Sequence, residues 1–384
     1  MTSAAATTSM PPDWARTLTD PQAFQHEQEK LSHVWTFLGL ARDVANDGDW
    51  FRATLATRSV FVQRFGSDLK AFENRCAHRF FPLRTADKGN GPIVCGFHHW
   101  RYDSQGRAVG IPMCKELFGV IPRELDARLK PVEIELCGSF IFGRFPSPDA
   151  TESLAEFLAE SFPILEAMSE TTAVPQYLTR EVRANWRLLY HTSVEDYHIV
   201  AIHPSTFGKG GYLKREAIGY LRFGIHNAYF TTSDPEALTK MAAECQAGNW
   251  VSVNYRVFHV FPNLAVAHFR SDAQYWFILV LQYSAVTTDR SVMRAWIYPA
   301  PFAANHVWHD RWTRPFTTLS RKLGVRYYVS KVLKEDNDAC EQLQSVAHQV
   351  HEPPILGGLE ERMAWFEEAY AKIVLPGTRK TSEP

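Results

Sequence analysis

Cys76, His78, Cys95 and His98 are spaced C-x-H, sixteen residues, then C-x2-H, so each short loop offers one thiolate and one imidazole. A zinc finger groups its ligands differently, with two Cys at one end and two His at the other. The mixed loops suit a [2Fe–2S] cluster with two thiolates on one iron and two imidazoles on the other. Neutral imidazoles lower the negative charge on such a cluster and raise its reduction potential. The chemistry on offer is one-electron transfer, with a zinc ribbon as the alternative. His99 reads as a neighbour of the cluster rather than a ligand. Cys114, Cys137, Cys245 and Cys340 read as core residues, and the six cysteines form no disulfide framework.

A second set of donors follows Asn185-Trp186-Arg187. On a helix, His191, Glu195 and His198 are four and three residues apart and share one face. Leu188 and Ile202 lie beside that face, while Trp186, Leu189, Val194 and Tyr197 fill the other side. A polar row on a largely buried helix is costly without partners, and a metal would supply them. Pro204 disfavours the α conformation at His203, so the helix ends there and the chain turns His203 back towards His198. An iron of the two-His-one-carboxylate type needs one acid more. The helix Lys331 to Val350 supplies it as Asp336, on the apolar face of Val332, Ala339, Cys340, Leu343, Ala347 and Val350. Burying that carboxylate unpaired costs roughly several kcal/mol. Glu335, Asp338 and Glu341 point elsewhere or to the rim. The blander alternatives are a His pair satisfied by backbone and an Asp that caps or bridges a helix.

Asn74-Arg75-Cys76-Ala77-His78-Arg79 and Cys95-Gly96-Phe97-His98-His99-Trp100-Arg101-Tyr102-Asp103, with Gly106 and Gly110-Ile111-Pro112, resemble the Rieske domain of ring-hydroxylating oxygenases. The resemblance runs from Trp35 to Tyr370, and Glu335 to Gln344 matches the place where that family keeps its iron aspartate. Respiratory Rieske proteins tie the two loops with a disulfide at positions that here are Phe81 and Phe97. Phe80 and His99 stand where the oxygenases commonly have Gly. Phe80, Phe81, Phe97 and Trp100 are expected to keep water from the cluster.

The resemblance implies a terminal oxygenase carrying one [2Fe–2S] Rieske cluster on Cys76, His78, Cys95 and His98. It also implies one mononuclear Fe(II) on His198, His203 and Asp336. Glu195, three residues before His198, is implied as the carboxylate that relays electrons from a Rieske His of the neighbouring subunit, with Asp196 as the alternate. Electrons come from a ferredoxin or a flavin-dependent NAD(P)H reductase, which is separate because the chain lacks a dinucleotide fingerprint: Phe207-Gly208-Lys209-Gly210-Gly211 has the wrong spacing. It also lacks a plant-type ferredoxin motif. The substrate is expected to be aromatic, with O2 as co-substrate, in a homotrimer that a small β subunit can accompany. Two other functions stay open: a monooxygenase removing an N- or O-methyl group, and an electron carrier without a second iron. A zinc-binding structural protein is more remote.

These sites need elements to hold them. At 384 residues the chain has room for about two domains. Hydrophobic residues at 45% and charged residues at 22% describe an ordinary globular chain. A formal net charge of -1 gives no reason to expect nucleic acid or an anionic membrane. No apolar run reaches the ~20 residues that span a bilayer, and Met1 to Pro12 lacks the marks of a signal peptide. A cytoplasmic location is therefore expected. The fold expected is α+β: an N-terminal all-β domain, then a helix-covered antiparallel sheet of helix-grip type. The boundaries expected are 1–32 (segment and helix), 33–146 (cluster domain), 150–376 (catalytic domain) and 377–384 (tail). Helices are expected at 21–38, 151–168, 183–202, 306–322, 328–350 and 358–373. Strands are expected at 59–63, 92–95, 139–142, 219–231, 250–260, 264–270, 275–284 and 291–298. Tyr255, Phe258, Phe261, Phe269, Tyr275, Trp276 and Phe277 are candidates to line an apolar pocket.

Overall fold

The computed structural model describes residues 10, 14–171, 173–206, 213–251, 254–270, 276–300 and 314–375. The segment Phe207–Gly211, the tail 377–384, Tyr275 and residues 306–313 of the expected helix lie outside them. The chain forms two compact units, Ser32–Phe157 and Met1–Leu31 with Leu158–Pro384. The fold is α+β, as the sequence predicts.

In chain order, α1 (Arg16–Thr19) and α2 (Pro21–Leu31) come first. Asp20 caps α2, accepting from Gln22 N at 2.8 Å and Ala23 N at 3.3 Å, with Pro21 preset for the first helical position. The helix stops at Leu31, not at 38. Thr36–Leu40 is instead β1, because Thr36, Phe37 and Leu38 suit a pleated, fully buried strand better than a helix.

The unit Ser32–Phe157 is all-β at its centre. Its strands are β1, β2 (Asp49–Leu55), β3 (Arg58–Phe65), β4 (Asp68–Glu73), β5 (Lys88–Asn90), β6 (Ile93–Val94), β7 (Arg101–Tyr102), β8 (Ala108–Gly110), β9 (Pro131–Cys137) and β10 (Phe140–Arg144). Two short helices, α3 (Cys114–Phe118) and α4 (Pro122–Leu125), lie between β8 and β9. One sheet runs β1-β10-β9-β4-β3-β2-β5, and a second runs β6-β7-β8. Gly106 closes the Asp103 turn before β8 with φ +71; a Cβ there would meet Phe72 at 2.7 Å, so only glycine fits. Cys76, Cys95, Trp100 and Tyr102 sit in the same buried cluster as Phe61 and Phe72. The cluster loops are thus rooted in the hydrophobic core.

The segment expected as one helix at 151–168 is broken into α5 (Leu154–Leu158) and α6 (Phe162–Ser169), with Ala159 at φ +48 between them. Then come β11 (Gln176–Val182), α7 (Trp186–Ser193), α8 (Ile199–Ile202), β12 (Gly219–Phe223), β13 (His226–Phe230), α9 (Ala237–Gln246), β14 (Arg256–Val260), β15 (Leu264–Arg270), β16 (Trp276–Thr287), β17 (Arg290–Pro299), α10 (Arg314–Val346) and α11 (Glu361–Val374). The antiparallel sheet runs β11-β17-β16-β15-β14-β13-β12. On one face the Tyr298 hydroxyl donates to Met168 O of α6; on the other, Tyr190 of α7 packs edge-on against His259 and Tyr283. Burial on both faces explains the near-continuous apolar run of β16. Among the described residues, no helix is long and apolar enough to cross a membrane.

Candidate functional site

The two cluster loops repeat one backbone design. Cys76 N bonds Phe81 O at 2.9 Å and Phe80 N bonds Cys76 O at 3.0 Å; Cys95 N bonds Trp100 O at 2.9 Å and His99 N bonds Cys95 O at 3.0 Å. Each loop then needs a left-handed residue, and these are Phe80 (φ 60) and His99 (φ 56). The glycine expected at those two places is a conformational requirement that this chain meets with side chains. Phe81 and Phe97, where a disulfide would tie the loops, are 5.5 Å apart between ring centroids.

The four donors meet as two pairs, thiol with thiol and imidazole with imidazole. Cys76 and Cys95 are buried and interact through their sulfurs, while His78 Nδ1 and His98 Nδ1 face each other at 3.2 Å. Burial pushes the Cys95 thiol up, while the N–H groups of Phe97 and His98 favour its thiolate. Burial, the His98 ring and Arg79 hold His78 below the usual imidazole value, so it is neutral and ready to ligate. Tyr102 places its hydroxyl 3.0 Å from Cys76 Sγ and accepts from Ala77 N at 3.0 Å. Trp100 is buried and stacks on His78 at 4.8 Å. The water shield expected of Phe80, Phe81 and Phe97 is not formed within this chain: all three are exposed, Phe80 to 64%.

The second site departs from the expected continuous helix. Asn185 caps α7, its side chain accepting from Arg187 N at 3.0 Å, and the preceding residues to Val182 are strand. The helix ends at Ser193. Beyond it, Glu195 Oε2 accepts from Tyr197 N at 2.6 Å and His198 N at 3.1 Å. A side chain that captures backbone amides competes with the helical ladder, so the chain turns here. His191, Glu195 and His198 therefore share no helix face. His191 Nε2 goes to Glu367 of α11 at 2.7 Å instead. Tyr197, expected to pack opposite, is exposed.

His198, His203 and Asp336 do come together: one ligand atom of each lies within 4.8 Å of the others. His203 is the residue after α8, at φ −110 and ψ 51, outside the α region that the following Pro204 disfavours. Asp336 Oδ1 is 2.9 Å from His203 Nε2 and 3.5 Å from His198 Nε2. The α10 ridge that buries this region is Val325, Val329, Leu333, Asn337 and Cys340, with Asp336 at its border. Leu343, placed by the sequence on the apolar face, is exposed.

The outer nitrogens decide what fits at that point. His198 Nδ1 bonds Glu195 Oε1, and His203 Nδ1 bonds Glu335 Oε2 at 2.8 Å. Glu335 also accepts from Ser205 Oγ at 3.1 Å. With Nδ1 of each ring directed at its own carboxylate, both Nε2 atoms can turn lone pairs inward beside Asp336 Oδ1 once a metal ion displaces their protons. Three inward lone pairs call for a cation, so the donor set fits a metal ion. Burial opposes charge on His198, yet Asp336 and Glu195 outweigh it and push its pKa up to about 10. Glu335 was expected to point away; its neighbour Asp336 drew the attention because it sat nearer the apolar ridge. Asp196, the alternate to Glu195, pairs instead with Arg362 at 2.8 Å.

The expected pocket aromatics divide. Phe258 and Trp276 lie on the α6 face, packed on Phe230 and His268 respectively. Phe269 and Phe277 stack at 6.0 Å on the α7 face, and Tyr255 packs against Tyr229 of that face. Cys114, Cys137 and Cys340 are buried as expected, Cys245 is half-buried, and all six cysteines are free.

An all-β unit with paired Cys-His loops and a helix-covered sheet that gathers two His and one Asp are the marks of one protein class. The Rieske [2Fe-2S] domain family matches residues 34–125, and the ring hydroxylating alpha subunit (catalytic domain) family matches 169–375. The chain belongs to the ring-hydroxylating alpha subunit family. It is 31% identical over 201 residues, 50% of this chain and 44% of that protein, to the large oxygenase component of the 2,4-dinitrotoluene dioxygenase system of Burkholderia sp. (strain RASC). It is 26% identical over 217 residues, 51% of this chain and 50% of that protein, to the large oxygenase component of salicylate 5-hydroxylase of Ralstonia sp.. The chain thus spans about half the length of the curated relatives it matches. A naphthalene 1,2-dioxygenase from Rhodococcus sp. shares the fold with a TM-score of 0.73 at 19% identity, over 95% of this chain and 94% of that one. A quaternary ammonium Rieske monooxygenase, solved with L-carnitine, does so with 0.72 at 17% identity, over 95% of each.

Proposed function

We propose that the chain is the terminal oxygenase component of a multicomponent Rieske oxygenase, using O2 and reductant-derived electrons to hydroxylate an aromatic substrate. The observation that carries this reading is the convergence of His198 Nε2, His203 Nε2 and Asp336 Oδ1 on one point, each imidazole backed by its own carboxylate. In this reading Cys76, His78, Cys95 and His98 hold one [2Fe–2S] cluster, and His198, His203 and Asp336 hold one Fe(II). Bound there with open positions, the ferrous ion supplies the dioxygen chemistry that no side chain can perform.

The chain's own residues do the remaining work. Glu195 and Glu335 keep a proton on each Nδ1 and fix both rings, so the lone pairs stay aimed inward. Glu195 is also the relay towards a cluster imidazole of a neighbouring subunit. The α7 face of the sheet offers Phe269, Phe277 and Tyr255 as apolar surface for an aromatic ring. That substrate class is supported by the relatives, named for dinitrotoluene and salicylate. A separate ferredoxin or flavin-dependent NAD(P)H reductase supplies electrons, the assembly is a homotrimer with room for a small β subunit, and six free thiols suit a cytoplasmic setting.

Metal analysis of the purified, reconstituted protein tests this reading. The wild type should hold the two cluster irons and a third. Asp336→Ala should lose the third iron and turnover while keeping the red-brown cluster spectrum. A variant that keeps all its iron, or that loses the cluster spectrum as well, defeats the two-centre assignment. Labelled dioxygen then distinguishes ring hydroxylation from demethylation, which releases formaldehyde.

A further inference from the structure

The turn that presents Glu195 and His198 carries a second carboxylate that takes no part in the metal point. Asp196 Oδ2 accepts from Arg362 Nη2 at 2.8 Å and from the Tyr220 hydroxyl, and Asp196 N bonds Leu359 O at 3.1 Å. Arg362, on α11, is buried; it donates through Nη1 to His259 Nδ1 at 3.2 Å and lies over the Tyr220 ring at 4.5 Å. The same helix holds the other end of the segment. Glu367 takes Arg187 Nη2 at 2.5 Å and His191 Nε2 at 2.7 Å, both on α7. Residues 186–198 are therefore fastened to α11 before and after the bend at Val194.

We propose that Arg362 is a positioning residue for the metal site, acting through Asp196. Two adjacent carboxylates, Glu195 and Asp196, stand within reach of the bend, and only one can serve His198 Nδ1. By engaging Asp196 in a buried ion pair, Arg362 fixes the direction of the turn and leaves Glu195 as the partner of the imidazole. Removing Arg362 leaves a half-buried acid without its counter-charge, and such a group reorganises its surroundings to reach water. The turn is the element free to move, and its movement takes the His198 lone pair off the shared point. The inference rests on the metal reading above.

The test is equilibrium binding of Co(II) to full-length protein that carries its cluster but has been stripped of mononuclear metal. Wild type, Arg362→Lys, Arg362→Met, Asp196→Asn and the double variant D196N/R362M are compared, with Asp336→Ala as the non-binding control. Arg362→Met should bind Co(II) about 10- to 100-fold more weakly, the range seen when a partner behind a metal ligand is lost. Arg362→Lys should recover most of that loss. The double variant should bind no more weakly than Arg362→Met, because the two residues act as one unit. Cluster absorbance and the denaturant unfolding of the unit that carries α11 should stay close to wild type, which a loss of structure in that unit would not permit. Asp196→Asn keeps the shape and one hydrogen bond, so it answers the question if Arg362→Met does not fold. Wild-type affinity in that variant, or in Arg362→Met, overturns the inference, as do losses that simply add in the double variant. If wild type itself binds no more Co(II) than Asp336→Ala, the metal reading fails and the inference with it. Tight wild-type binding with unchanged variants defeats the inference alone.

Discussion

The ionisation of His198 sets how strongly protons hold the point where His198, His203 and Asp336 meet. Burial disfavours its charged form, but Asp336 and Glu195 prevail and raise its pKa to about 10; His203 is raised as well, burial again being outweighed by Asp336 and Glu335. A raised imidazole stabilises the folded, metal-free protein fully below the unfolded value of about 6.5, and that contribution fades as pH rises through the folded value. Metal binding follows the opposite sign, since the ion must displace those protons. Co(II) affinity should therefore strengthen steadily from about pH 6.5 to 9, with protons released on binding, while the metal-free protein loses stability towards pH 10. Calorimetry in buffers of different ionisation enthalpy counts the protons. Binding independent of pH would show that the lone pairs are not held as the carboxylates imply. The convergence of His198, His203 and Asp336 was readable from the sequence because Pro204 disfavours helix at His203 and Asp336 breaks an apolar pattern. Glu335 was not readable: its neighbour's position on the ridge said nothing of a His arriving from α8.

Elements were legible where one face or one residue decides, and illegible where a side chain competes with the backbone. The strand β17 declares itself through Val292, Trp296, Ile297 and Tyr298, β-branched and aromatic residues that suit a pleated surface. The 183–202 segment carries helical spacing throughout, yet Glu195 claims the amides of Tyr197 and His198 and ends the regularity. That interruption makes anchorage of α7 important. Arg187 and Glu367, both fully buried, form an ion pair that also engages His191, Thr17 and the Trp14 carbonyl. Removing one partner from such a pair costs about 3–5 kcal/mol, because the other charge remains buried. Glu367→Ala should lower stability by that order in denaturant unfolding, well beyond an exposed control such as Glu368→Ala. Burial raises the Glu367 pKa, but Arg187 and His191 outweigh it and the net shift is downward. A depressed carboxylate stabilises above its unfolded value of about 4.3 and loses that contribution as pH falls through the folded value. The gap between wild type and Glu367→Ala should accordingly narrow below about pH 4. A gap that persists there would place the stabilisation in packing.

At the scale of the whole molecule, the two centres belong to two compact units, and the surface of the cluster unit bears on how they communicate. His98 is exposed, with the exposed Phe97 ring packed on it at 4.0 Å between centroids. Exposed apolar rings next to a polar one, here Phe81 and Phe97 beside His98, suit contact with another protein. Glu195 Oε1 in turn sits on His198 Nδ1 with one further acceptor direction, while Oε2 is taken by the amides of Tyr197 and His198. These features suit electron passage between chains, which complementation can test directly. Cys95→Ser should abolish the cluster and spare the mononuclear site; Asp336→Ala should do the reverse. Each protein alone should be inactive. Co-expressed and copurified as mixed assemblies, they should recover activity wherever an intact cluster faces an intact iron site of its neighbour. For random head-to-tail trimers at equal dosage, that is about one quarter of the interfaces and hence about a quarter of wild-type turnover. If the mixture stays as inactive as its parents while both chains are shown to be in one assembly, electrons pass within a single chain. Glu195→Gln should then leave turnover with reduced donor largely intact, whereas in a cross-chain relay it should slow turnover while both metal contents are retained.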